Sequence, residues 1–543
     1  MRLIQFLTIV VLLSCLSACL TAYRAPTATM SSCEDYDKYL YSKYPDQKSL
    51  IQSGPLADED DANPGAEDKF GLEDRNKKWT PHPKEEHLSH IDPIIVRYSE
   101  GGDLVSRCDY SRVLHALINT NDKKRVVFVY IHGWRNDSGK ENNKAYNYGK
   151  FPTQQETGGK DLHKFREFLR ERQRMERERT DKDSAVVIGV FVSWKGRSGI
   201  PYLDYWSRRS GADKLARSAQ VARLFGAMEN IIGQECPASS EMCNDPSTKT
   251  GTKRSDTKLI YMSHSMGARV LYGAMAPRFT YNVQRAYPID KTAPYAAIPR
   301  GPDLVLMISP ALEAASYKSI DEFRYSDRRF VESHLPQMLV IQSEGDWATR
   351  SAFAIAESFG RLNDPYQSAQ RRRTIGHSPQ FVTHKLVKLD SPCIGETKKV
   401  TLTGSFCHGR VKLIYCPKPN TSTKNVPPAK RKRENHVLVS TQAKETDNSE
   451  PFEFDTECVD VPEVIRPKKV VDRKLRPSPF FVVQVEKDVL SAHGFFLDAE
   501  ANSRAGKADG DGFLPWLHEY ITKFEAELER GDEKAGLART QAQ

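Results

Sequence analysis

Ser265 lies in Ser263-His264-Ser265-Met266-Gly267, a pentapeptide with small residues on both sides of one hydroxyl. An apolar run at 258–262 leads into it and a helical pattern at 266–275 follows, so the serine falls at a strand-to-helix turn. There a hydroxyl projects above the end of a sheet, and the helix N-terminus beneath it offers N–H groups and partial positive charge. Strand and helix approach closely at such a turn, which demands small residues; Gly267 meets the demand, and Ser263 stands where a first glycine is usual. A serine attacks carbonyl carbon only if a base takes its proton and an acid orients that base. The acid is sought after the run at 337–342, in Ser343-Glu344-Gly345-Asp346-Trp347. Asp346 is the first candidate and Glu344 its competitor; a plain helix cap is the non-catalytic alternative for Asp346. For the base, His493 follows the run at 480–485, while His377 and His384 lie nearer the acid in sequence. Every choice keeps the order Ser, Asp, His.

These residues need a scaffold that ends several elements on one side. The runs 125–131, 185–194, 258–262, 303–309, 337–342 and 480–485 are short and almost wholly apolar, as strands buried on both faces are. Between them, 160–178 and 212–232 repeat apolar residues at helical spacing, and 514–524 reads as a closing helix. Alternation of this kind predicts an α/β fold, a mostly parallel sheet flanked by helices, with chemistry at the carboxyl ends of its strands. His132-Gly133-Trp134 ends the first run, and His132 also suits a core histidine bonded to backbone.

From about 125 to 390, with a return at 480–525, the chain resembles bacterial α/β-hydrolases of the serine esterase/lipase type. The resemblance rests on IHGW at 131–134, SHSMGAR at 263–269, DLVLMISPALEA at 303–314, GDWAT at 345–349 and a late His-Gly before the closing helix. It implies an α/β-hydrolase fold and an acyl-enzyme route without metal or cofactor, with Ser265, Asp346 and His493 as the catalytic set. It implies further that Gly133 turns the backbone so that the Trp134 N–H, with that of Met266, meets a developing oxyanion. Trp134 would also wall the acyl pocket. Ser263 and a long insertion before the last strand depart from the pattern.

The 543 residues include 80 basic and 71 acidic, a net charge of +9 without the clustering that nucleic-acid binding needs. Arg2, an apolar run at 3–13 and Leu16-Ser17-Ala18-Cys19 resemble the signal and lipobox of bacterial lipoproteins. That resemblance implies a lipid on Cys19, a membrane held through it, and a place in the cell envelope, at the outer membrane or periplasmic face. Eight cysteines then remain (33, 108, 236, 243, 393, 407, 416 and 458), an even number that suggests disulfides in an oxidising compartment. No Cys-x-x-Cys, His-Glu-x-x-His, phosphate-loop or dinucleotide motif occurs, so neither metal nor cofactor is expected. The expected organisation is a signal at 1–19, a polar tether at 20–90, a core at 91–390, a cysteine-bearing insertion or lid at 391–479, and the last strand, histidine loop and closing helix at 480–530. The Lys430-Arg431-Lys432-Arg433 run in the insertion reads as a solvated loop, or as a contact for anionic lipid headgroups. The expected substrate is a small-molecule or lipid ester; the competing expectation is a non-catalytic envelope lipoprotein that uses a hydrolase scaffold for binding.

Overall fold

The computed structural model describes residues 93–105, 107–119, 124–134, 136, 160–179, 185–196, 205–233, 257–286, 301–325, 335–359, 369–391, 402, 405–415, 478–491, 493 and 512–542. Ten strands form one sheet: β1 (Ile94–Arg97), β2 (Arg125–Ile131), β3 (Val186–Ser193), β4 (Thr257–His264), β5 (Leu304–Ile308), β6 (Met338–Ser343), β7 (His384–Lys388), β8 (Ser405–His408), β9 (Val411–Tyr415) and β10 (Phe480–Val485). Their order is β1-β3-β2-β4-β5-β6-β10-β7-β9-β8. Neighbours from β1 to β7 run parallel, and β9 and β8 add an antiparallel hairpin at the β7 edge. The chain is therefore α/β, as the alternating runs predict.

Burial on both faces explains the uninterrupted apolar strands. Along β2, Val127, Val129 and Ile131 enter one core while Val126, Phe128 and Tyr130 enter the other. The first core is covered by α1 (Arg107–Asn119), α3 (Tyr205–Ala216), α4 (Ala219–Gly233) and α5 (Gly267–Ala286), through residues such as Val113, Leu215, Leu224 and Val270. The second is covered by α2 (Lys160–Glu178) and the last helix, α9 (Phe513–Ala542), through Phe165, Phe168, Trp516 and Phe524. Between β5 and β7 lie α6 (Ala314–Asp321), α7 (Phe353–Phe359) and α8 (Ala369–Arg372).

Three local readings differ from the sequence expectation. The segment 212–232 is two helices, because Ser218 stops one and starts the next. Its hydroxyl donates to the Gly102 carbonyl at 2.6 Å and accepts the Gln220 N–H at 3.1 Å, a helix N-cap contact. The helices expected at 266–275 and 514–524 extend to Ala286 and Ala542. Within 391–479, β8 and β9 pair onto β7 and belong to the main sheet. The rest of that stretch, the tether, the signal and Cys19 lie outside the described residues, apart from 391, 402, 409, 410, 478 and 479. Of the eight cysteines, Cys407 on β8 is the one with a described side chain.

Candidate active site

β4 delivers Ser265. The strand ends at His264, α5 begins at Gly267, and Ser265 between them has φ 53°. Left-handed backbone is costly for serine, about 1–3 kcal/mol, so neighbours must hold it. The Ser265 N–H donates to the Ile308 carbonyl at 3.1 Å, and its own carbonyl accepts from Ala268 at 3.1 Å and Ala311 at 3.0 Å. Gly267 is needed for space: a Cβ there would lie 2.3 Å from the Ile131 carbonyl oxygen and 2.5 Å from that of His132. Ser263 faces no such demand. It is an ordinary β4 residue in register with Ile131 and Met307, which explains why glycine is dispensable at that position.

β6 delivers Asp346 and the segment after β10 delivers His493. His493 Nε2 lies 2.8 Å from Ser265 Oγ, and Nδ1 lies 2.8 Å from Asp346 Oδ2. A carboxylate only accepts, so Nδ1 carries the proton, and Nε2 accepts from the serine hydroxyl. Asp346 is fully buried and well supplied with donors: Thr349 Oγ1 at 2.6 Å and Gln342 Nε2 at 3.0 Å on Oδ2, and the Thr349 N–H at 3.1 Å on Oδ1. Burial pushes its carboxyl up, but the bond and charge of His493 and the two Thr349 donors outweigh it and hold the group well below the usual carboxylate range. The His493 segment is tied to β6 at two further points. Ser343 Oγ donates to the Leu490 carbonyl, and a Cβ on Gly345 would lie 2.5 Å from the Ser491 carbonyl oxygen.

The competing residues fall elsewhere. His377 reaches the Asp346 carboxylate through Thr349, whose Oγ1 is 3.2 Å from His377 Nε2, and it also bonds the Asp346 main chain. Burial pulls the His377 imidazole down to about 4, although the Asp346 charge opposes it. His384 is a β7 sheet residue bonded to Thr383 and packed on Phe481. Glu344 donates its N–H to Val485 across the strand ends.

His132-Gly133-Trp134 lies against the serine. A Cβ on Gly133 would come within 2.8 Å of the Ser265 Cβ. His132 is a core histidine: it accepts the Trp194 N–H on Nε2 at 3.1 Å, so Nδ1 donates to the Gly133 carbonyl at 2.9 Å. It stacks between Phe191 and Trp194. The Gly133 N–H donates to Asp161 Oδ2 at 3.4 Å. Trp134 is half-buried, with its ring edge-to-face against Tyr205, and Met266 is buried in the turn after Ser265.

Asp161 and His264 are further buried residues here that residue type and spacing did not single out. Burial pushes the Asp161 carboxyl up, yet His264, His132 and the Tyr130 hydroxyl together hold it well below the ordinary range. Asp161 begins a helix 103 positions before His264, so no local pattern links them. Among the described residues, no group of three or more His, Cys, Asp or Glu is arranged to hold a metal ion, and no helix is long and apolar enough to cross a membrane. No protein-family model matches the chain, and no curated protein or solved structure matches it either.

Proposed function

We propose that this chain is a serine hydrolase with an α/β-hydrolase fold that cleaves carboxylic esters through an acyl-enzyme. The observation that carries this reading is the unbroken chain from Ser265 Oγ through His493 to Asp346, with 2.8 Å at each step. Ser265 Oγ attacks the ester carbonyl carbon as His493 Nε2 takes its proton. Asp346 stabilises the imidazolium, and the main-chain N–H groups of Trp134 and Met266 serve as donors to the oxyanion. The tetrahedral intermediate collapses as His493 returns the proton to the leaving alcohol. Water then enters by the same route, its proton passing to His493, and the acid leaves as Ser265 regains its proton. In this reading the chain is lipid-anchored through Cys19 at the bacterial envelope, and its substrate is a small-molecule or lipid ester.

A fluorophosphonate probe tests the nucleophile. Wild type is expected to be labelled and to hydrolyse p-nitrophenyl esters, while Ser265→Ala does neither. Labelling that persists in Ser265→Ala rejects the assignment.

A further inference from the structure

His264 closes β4 and is 4% exposed. Its Nε2 lies 2.7 Å from the main-chain carbonyl oxygen of His493, and its Nδ1 lies 3.5 Å from Asp161 Oδ2. A carbonyl only accepts, so Nε2 carries a proton and donates it to His493. Asp161 sits in the first turn of α2. The same Oδ2 takes the Tyr130 hydroxyl at 2.9 Å and the Gly133 N–H at 3.4 Å. One buried carboxylate therefore reaches β2, the loop beside the serine and, through His264, the backbone of the residue proposed as base.

A buried histidine at a strand end is often no more than a satisfied core residue. His264 differs in what it holds. The Ser343 bond reaches Leu490 and the Gly345 approach reaches Ser491, three and two residues before the imidazole. Among the described hydrogen bonds, the one to the main chain of His493 itself comes from His264. The two rings also pack together, with centroids 4.7 Å apart.

We propose that Asp161 and His264 are positioning residues for the hydrolytic reaction, a second carboxylate–imidazole pair that sets the first. Asp161 backs the His264 ring on its Nδ1 side at 3.5 Å, and His264 pins His493 so that its Nε2 stays in proton-transfer reach of Ser265. The Gly133 contact registers the oxyanion loop to the same carboxylate. Neither residue touches substrate. This assignment rests on the serine-hydrolase reading, and its scale follows from geometry, since a misplacement of roughly 1 Å costs about 100-fold in rate.

The test compares full-length wild type, His264→Leu, His264→Gln and Asp161→Asn. It measures p-nitrophenyl ester kcat and KM, the fluorophosphonate labelling rate, and thermal melts to establish folding. His264→Leu is expected to lower kcat and labelling by about 10- to 100-fold with KM within about twofold. His264→Gln, whose amide can donate to the same carbonyl, recovers most of that loss, and Asp161→Asn falls between wild type and His264→Leu. A merely structural role would lower the melting temperature and leave kcat of the folded protein unchanged. Wild-type kcat and labelling in folded His264→Leu overturn the proposal, as does a Gln variant no better than Leu. If His264→Leu does not fold, wild-type kcat in folded Asp161→Asn overturns it. A wild type that neither labels nor turns over removes the hydrolase reading and this assignment with it, a result distinct from an active wild type insensitive to all three substitutions.

Discussion

At Ser265, backbone strain and the proposed chemistry meet in one residue, and the neighbours of Asp346 decide which imidazole bonds its carboxylate directly. Thr349 Oγ1 has a single proton and gives it to Asp346, so His377 must donate from Nε2 to the threonine and has no route to Ser265 through that nitrogen. His493 bonds Asp346 and Ser265 at once. Replacing His493 by Ala is therefore expected to lower kcat by about 10⁴-fold or more, with the esterase assay as the check. His377→Asn, one step removed, should leave kcat within about tenfold of wild type. The sign of the His377 titration follows from its depressed value. Its contribution to stability is complete above the ordinary 6.5 and is lost as pH falls toward about 4.

At the scale of elements, α2 and α9 meet over the second core around a buried charge group. Arg172 Nη2 lies 3.0 Å from both Glu525 carboxylate oxygens and 3.1 Å from Glu176 Oε1. Burial first, and the Glu176 charge second among the raising effects, push the Glu525 carboxyl up to about 7, against the pull of Arg172 and Arg179. Two carboxylates thus share one fully buried guanidinium. A carboxyl raised on folding stabilises below its ordinary value of 4.5, and that stability is lost as pH rises through about 7. The loss amounts to roughly 3 kcal/mol at most. Urea melts at pH 5 and pH 8 should show wild type losing stability over that interval and Glu525→Gln losing less; equal losses would remove Glu525 as the source. The two helices were legible as amphipathic repeats, because their apolar spacing is local. Their mutual contact was not, since Arg172 and Glu525 stand 353 positions apart.

For the whole molecule, strand order does the gathering. β2, β4, β5, β6 and β10 are consecutive neighbours in the sheet, so the residues that follow them crowd one carboxyl edge. Ser265 and His493 meet there although 228 positions separate them. Placement of this whole assembly at a membrane is the remaining part of the proposal, and it rests on Leu16-Ser17-Ala18-Cys19. In a bacterial host, full-length protein should partition with membranes and incorporate labelled fatty acid, and Cys19→Ala should lose both. Fatty-acid incorporation that survives Cys19→Ala would reject that anchor.

What neighbouring residues encode could be read in order along the chain. Apolar runs gave six strands because burial on both faces leaves no room for alternation, and small residues about Ser265 marked a tight turn because strand and helix nearly touch there. Glycine at 267 and an acid soon after β6 belong to the same local grammar. The tertiary structure decided which histidine reaches the serine, joined β8 and β9 to the sheet, and brought Asp161 to His264. Those outcomes depend on which strands lie side by side, and that is set by packing between segments distant in sequence, 228 positions apart for Ser265 and His493.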